Sequence, residues 1–442
     1  MSPQISQIRR ALEPLTSAFR QLPNYRHTDY GLVLSATILG VSVGSAIYVF
    51  HSVVSIAEEF FNRFFVAAGN NPLSFLRFVF FPLITAFGGL LVGITNTTLF
   101  RGVKDDGLEA VHKAVEEGGG ILHRRTSIKA ITSAAFSIGS GGGAGREAPT
   151  VVLGASIGST LGRVLRLKPE QLRILCGAGT AAAISGIFNA PLGGVVFAVE
   201  AIIGELSVNS FIPLVISSVM ATATSRLFLG DHPILIAPAV MEIAPQDYFF
   251  LALAGIASGG VAIYFLRTYE WTAKKVEATL FNTPEYLKPA IGGLGAGFLV
   301  ALLPTMLETT YEPVNMAILG RGTLLIAVMT VLLKPFSAAV TLSSGGAGGT
   351  FAPAMKAGAT FGFAFGYILQ LVIPGTSPGL YALVCCAAVL AGTYRMPLTG
   401  GILVFEISRN YALILPLMFA SVFATFIVHH TGIKTFNPSV NK

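Results

Sequence analysis

Glu147 follows Arg146 at the end of a glycine run, in SIGSGGGAGREAPTVVLG (Ser137–Gly154). Sixteen uncharged residues precede the pair and fifteen follow it. The carboxyl gains chemistry from what comes next. Pro149 lacks an N–H and has a preset φ, so it marks a helix start at about Ala148. The glycines ahead of it leave backbone N–H groups unmasked by side chains. A helix N-terminus presents unpaired donors and roughly half a positive charge, which makes it an anion site. An ionised Glu147 can occupy that anion position itself; a protonated one is neutral and can swing away. The residue is a candidate gate and a candidate proton carrier.

Plainer readings compete. Glycines in membrane helices often serve close packing, and GASIG (Gly154–Gly158) is read that way. Arg146 and Glu147 can also be an ion pair at an interfacial turn. GSGGGA fits the loose dinucleotide pattern, but no βαβ unit surrounds it and no Lys-Ser/Thr follows, so nucleotide binding is rejected.

The glycine motif has a second copy. SGGGAGREAP (Ser140–Pro149) matches SGGAGGTFAP (Ser344–Pro353) at six of ten positions, offset by 204. PLGGVVFAVE (Pro191–Glu200) matches PLTGGILVFE (Pro397–Glu406) in the same order, offset by 206. Two ordered pairs at nearly one offset indicate an internal duplication, with Pro353 marking a second helix start at about Ala352. The expected division is a first repeat over 30–230, a second over 245–440, and a seam around Gly230–Asp247. Duplicated halves in transporters commonly meet at the membrane midplane, where interrupted helices form the binding site.

The elements that must position these motifs are membrane helices. Of 442 residues, 53% are hydrophobic and 12% charged, about half the charge of a soluble domain. Gly31–Phe50, Phe78–Phe100, Ile174–Val199, Leu206–Ser225 and Tyr248–Leu266 contain no Asp, Glu, Lys or Arg. Each has roughly the ~20 residues that span a bilayer. Ala357–Tyr394 is uncharged but broken by Pro374 and Pro378, so it reads as two segments. Gly322–Leu333 reads as too short to cross. Continuous apolar runs exclude a β-barrel, which needs alternating segments.

The net charge of +7 sits in the loops. Basic residues in 1–29 and in Gly162–Arg173 predict a cytoplasmic N-terminus. Residues 1–29 read as an amphipathic segment on that face, with no cleavable signal peptide. The chain closes soon after its last apolar run, so no C-terminal regulatory domain is expected. No basic face with stacking aromatics is present, which excludes nucleic acid as a partner. Cys176, Cys385 and Cys386 lie in apolar segments and read as small packing residues. His429 and His430 are adjacent, diverge by about 100° on a helix and make a poor metal pair; they mark the aqueous boundary.

GREAPTV (Gly145–Val151), GIFNAPLGGVVFAVE (Gly186–Glu200) and GGTFAP (Gly348–Pro353) resemble, in order and spacing, three signature regions of the CLC family of chloride channels and transporters. The resemblance spans nearly the whole chain. It implies an all-α fold of two inverted repeats, about eighteen tilted and broken helices, and a homodimer with one anion pathway per subunit. It makes Glu147 the gating glutamate. It assigns anion-facing backbone to Gly145, Arg146 and Ala148 in one half, and to Gly349, Thr350, Phe351 and Ala352 in the other.

Three departures stand out. The turn whose serine touches the central anion in the family reads GVKDDGLEAV (Gly102–Val111) here, with Asp106 at the serine; Asp105 or Asp106 is expected to cap the following helix. The C-terminal tyrosine that closes the central site falls at Phe436 or Asn437. The inner proton-transfer glutamate of many exchangers falls at Ala201, beside Glu200. Glu406 is the repeat partner of Glu200, which favours a structural role for both, with a proton relay through Glu200 as the alternative. Both side-chain ligands of the central site are thus expected to be missing.

The expectation is chloride transport in the plasma membrane by H+/Cl− exchange, without a cofactor, chloride being the bound substrate ion. A proton-gated passive channel is the near alternative. An intramembrane enzyme is the distant one.

Overall fold

The computed structural model describes residues 29–69, 74–103, 107–204, 207–237, 247–304 and 311–441. The expected N-terminal segment, and Asp105 and Asp106, lie outside these residues. Sixteen α-helices are present among the described residues. The first half contains α1 (Asp29–Gly69), α2 (Arg77–Thr98), α3 (Gly107–Glu116), α4 (Arg124–Gly139), α5 (Glu147–Val164), α6 (Pro169–Phe188), α7 (Pro191–Ala198) and α8 (Val208–Leu229). The second contains α9 (Asp247–Thr279), α10 (Lys288–Leu302), α11 (Glu312–Ile318), α12 (Leu324–Ser343), α13 (Phe351–Val372), α14 (Pro378–Tyr394), α15 (Pro397–Ser408) and α16 (Ile414–His429).

The eight helices of one half correspond in order to the eight of the other. A fine detail repeats with them. A Cβ on Gly88 would meet Ser140 Oγ at 2.0 Å, and one on Gly292 would meet Ser344 Oγ at 1.9 Å. Both residues of that contact recur 204 positions later, so α2 meets the end of α4 as α10 meets the end of α12. The two halves run in opposite directions: Glu200, just past the end of α7, reaches the start of α15, while Glu406, near the end of α15, reaches the start of α7.

Seven helices are long and apolar enough to cross a membrane among the described residues. The chain is an integral membrane protein. Several spans differ from their sequence limits. Ile174–Val199 is not one helix, because Asn189 takes a left-handed conformation (φ 57°) that ends α6 and Pro191 opens α7. Its repeat equivalent, Arg395, ends α14 in the same way (φ 52°) ahead of Pro397. Gly322–Leu333 is part of a full span, because α12 runs on through a buried Lys334 to Ser343. Ala357–Tyr394 does split, into α13 and α14.

The three cysteines are unpaired and fully buried. His429 and His430 are exposed and close α16.

Candidate functional site

The glycine motifs bring α5 and α13 together end to end. Gly145 N–H donates to the Gly349 carbonyl and Gly349 N–H donates to the Gly145 carbonyl, each at 2.8 Å. This is an isolated antiparallel bridge. Immediately beyond it α5 begins at Glu147 and α13 at Phe351, one residue before each expected start. The bridge also engages the N–H groups of Gly145 and Gly349, which removes both from the donors expected to face an anion.

The Glu147 side chain lies in this junction and is 4% exposed. Its carboxyl rests against Gly145: a Cβ there would meet Glu147 Oε2 at 2.1 Å and the Ala352 methyl at 3.0 Å. Only glycine leaves room for the carboxyl in this position. The backbone N–H groups of Glu147 and Ala352 face the carboxyl. Tyr311, one residue before α11, donates its hydroxyl to Glu147 Oε1 at 2.7 Å. Oε2 has no hydrogen-bond partner among the described residues.

Arg146 does not pair with Glu147. Its guanidinium lies 2.5 Å from both Glu58 carboxylate oxygens on α1 and 3.2 Å from His51 Nδ1. The arginine is compensated elsewhere, and the junction is left to helix termini and hydroxyls.

Below the junction, aromatic rings surround the start of α13. Phe351 packs against Phe188 at 5.7 Å, Phe197 at 6.0 Å and Tyr394 at 5.5 Å between centroids. Ring edges carry the positive side of the aromatic quadrupole and tolerate an anion. The Tyr394 hydroxyl lies 2.7 Å from Thr350 Oγ1. Two hydroxyls share one hydrogen in such a pair, so one O–H stays available to a third group. Phe436 packs at a tilt against Tyr394 at 5.6 Å, and its N–H donates to the Thr393 carbonyl.

The expected loss of the family's serine and tyrosine leaves Phe436 or Asn437 at the tyrosine position, and Asp106, at the serine position, lies outside the described residues. Thr350 and Tyr394 provide two hydroxyls, and Phe436 closes the wall below them. Tyr394 carries one sequence signal: at the offset of 206 it is the repeat partner of Phe188, which packs on Phe351 from the other half. Tyr311 carried no such signal.

Glu200 and Asn437 have structural partners. Glu200 sits in a single π-helical turn (Val199–Ile203) that continues α7. Its carboxylate accepts the N–H groups of Leu398 (3.2 Å) and Thr399 (2.7 Å) and the Thr399 hydroxyl (2.6 Å), capping α15. Glu406 caps α7 reciprocally through the N–H groups of Leu192 (3.1 Å) and Gly193 (2.7 Å). A carboxylate at a helix N-terminus is stabilising for the same reason that an anion is. Asn437 is fully buried and ties the C-terminal turn to this bulge, donating to the Glu200 carbonyl at 3.2 Å. Asp106 lies outside the described residues.

A model of the voltage gated chloride channel family matches residues 88–429. The chain is 31% identical over 356 residues to a putative ClcB-like chloride channel protein of Ralstonia nicotianae, covering 79% of this chain and 82% of that protein. It is 26% identical over 451 residues to the H+/Cl− exchange transporter ClcA of Salmonella paratyphi A, covering 98% and 92%. Among solved structures, a slow cyanobacterial Cl−/H+ antiporter superposes with a TM-score of 0.79 at 22% identity, over 94% of this chain and 97% of that one. A CLC-type fluoride/proton antiporter superposes at 0.74 with 20% identity, over 90% and 95%. These structural likenesses establish the fold.

Proposed function

The chain belongs to the voltage gated chloride channel family, and from that premise we propose that it exchanges protons for chloride, with Glu147 as the moving part. It is a membrane transport protein and not an enzyme. The carrying observation is the seat of Glu147: a buried carboxyl at the meeting point of two helix N-termini, with Tyr311 donating to it. An anion held there gains from the same donors that hold the carboxylate, so the two compete for one position. Protonation removes the reason for the carboxyl to stay. Each exchange of the carboxylate for chloride then carries a proton the other way.

The inner end of the pathway supports exchange over passive conduction. The Tyr394 ring contacts Phe351 on one side and Phe436 on the other, which gives a second barrier on the side of the site away from Glu147. The anion-facing donors in this reading are the backbone of Ala148, Thr350, Phe351 and Ala352 and one hydroxyl hydrogen of the Thr350–Tyr394 pair. Arg146 anchors the start of α5 through Glu58. No cofactor enters the cycle. Two copies form a homodimer in the plasma membrane, one pathway in each, with the N-terminus cytoplasmic.

The test is the reversal potential of reconstituted protein under opposed pH and chloride gradients. Exchange moves it off the chloride equilibrium value; a passive channel leaves it there. Glu147→Gln is expected to keep anion flux and abolish proton movement. Unchanged proton transport in that variant overturns the assignment.

A further inference from the structure

A second cavity lies at the opposite end of α5. Its volume is about 1120 Å³, and it opens between the end of α2, one face of α3, the start of α4 and the last turn of α5. Helix α5 has 18 residues, so roughly 27 Å separates this end from Glu147. None of Thr350, Tyr394 and Phe436 lines it. It shares Gly102, Val103 and Ala110 with the Gly102–Val111 turn but no residue with the Glu147 junction.

Its walls are cationic. Arg101, Lys113, Arg124, Arg125 and Arg163 line it, against Glu117 as the one carboxylate among the described residues. Lys113 pairs with Glu109 along α3, and Arg163 donates to the Leu122 carbonyl at 3.0 Å. Arg101, Arg124 and Arg125 are exposed and form no ion pair among the described residues. Several arginines lining one cavity against a single carboxylate, Glu117, suit phosphate oxygens. Arg124 and Arg125 also begin α4, whose free N–H groups add to the same attraction.

Part of the lip is apolar. Ile121 and Val164 belong to its lining and are 48% and 41% exposed. Leu99, just after α2, is 70% exposed. A free phosphate gains nothing from such a rim, whereas a lipid sets its glycerol and first methylenes against it. Helix ends mark this level as the membrane boundary, and its arginines mark it as the cytoplasmic one. Basic pockets between helices on that side suit anionic headgroups.

We propose that this cavity binds the phosphodiester headgroup of an anionic phospholipid from the cytoplasmic leaflet. Arg101, Arg124 and Arg125 hold the phosphate, and Ile121 and Val164 hold the start of the acyl region. The proposal does not depend on what Glu147 does.

The test uses the full chain in phosphatidylcholine nanodiscs doped with phosphatidylglycerol, with retained lipid counted by native mass spectrometry. Wild type is expected to retain phosphatidylglycerol preferentially. The combined R101Q, R124Q and R125Q variant is expected to lose roughly a hundredfold in retention, and the matching lysine variant to recover most of it. Anion flux in neutral lipid is expected to be unchanged in both, which reports correct folding; if the triple variant misfolds, R124Q and R125Q are measured singly for an intermediate loss. Equal retention by wild type and the glutamine variants overturns the site. Displacement of the lipid by inorganic phosphate or by glycerophosphoglycerol at millimolar concentration overturns the lipid assignment in favour of a soluble phosphate ester.

Discussion

Tyr311 donates its hydroxyl to Glu147 Oε1 at 2.7 Å, across 164 residues and from the opposite half of the molecule. The carboxyl of one repeat is thus held by a side chain of the other, beside the glycine bridge that joins the two. Removing that donor tests the hold. A hydrogen bond to a charged group contributes about 1.5–3 kcal/mol, so Tyr311→Phe is expected to raise the unseated fraction of Glu147 by about tenfold or more. Anion flux in liposomes should rise and the protons carried per chloride should fall. An unaltered flux and ratio would show that Tyr311 does not restrain the gate.

Tyr394→Phe removes only the hydroxyl beside Thr350 and leaves the ring contacts with Phe351 and Phe436. Chloride binding measured by calorimetry is expected to weaken by about 1 kcal/mol, or roughly fivefold. Thr350→Val should give a similar loss, and the double variant less than the sum, because the two hydroxyls share one hydrogen bond. Full additivity would mean that they act separately.

The reciprocal caps separate a structural role for Glu200 from a proton relay. Glu200→Gln and Glu406→Gln each weaken one cap, which costs about 0.5–2 kcal/mol. Both variants are expected to lower the thermal midpoint in detergent by similar amounts while keeping the proton-to-chloride ratio. A ratio that collapses in the Glu200 variant alone identifies a relay.

On the surface, Asp231 is held below the ordinary carboxylate range by the hydrogen bond from Asn189 Nδ2 (2.9 Å) and then by Arg409 and Arg226. A depressed value in the folded state means stability that is present above the ordinary value near 3.8 and lost as pH falls through the folded one. Thermal midpoints of wild type and Asp231→Asn are therefore expected to converge as pH falls below 3.8. A constant difference down to the lowest pH at which the protein stays soluble would remove this contribution.

Much of the site is written in short motifs. Gly145, Glu147, Pro149 and Pro353 announce a helix start with an acid on it, and the two offsets announce that there are two such starts. Periodicity has less to say about where apolar runs break. Asn189 and Arg395 stop helices by adopting positive φ, a backbone property that hydropathy does not register. Lys334 reads as a charge that ends a span, yet α12 buries it and continues. The partners hardest to foresee are Tyr311 and Tyr394. Each lies far along the chain from the group it touches: Tyr394 is 44 residues from Thr350 within one half, and Tyr311 is 164 residues from Glu147 in the other half. Charge is not confined to the loops either: Lys129, Lys334 and Lys356 are all buried within helices.

The paired amides of Gly145 and Gly349 restrict how such a molecule can cycle. They clasp the two repeats beside the seat of Glu147, through main chain that no rotamer change can loosen. A see-saw motion of one repeat about the other would have to pull this clasp apart and dismantle the seat with it. The proposed exchange therefore calls on small excursions, of the Glu147 carboxyl and of the ring cluster, rather than on separation of the repeats.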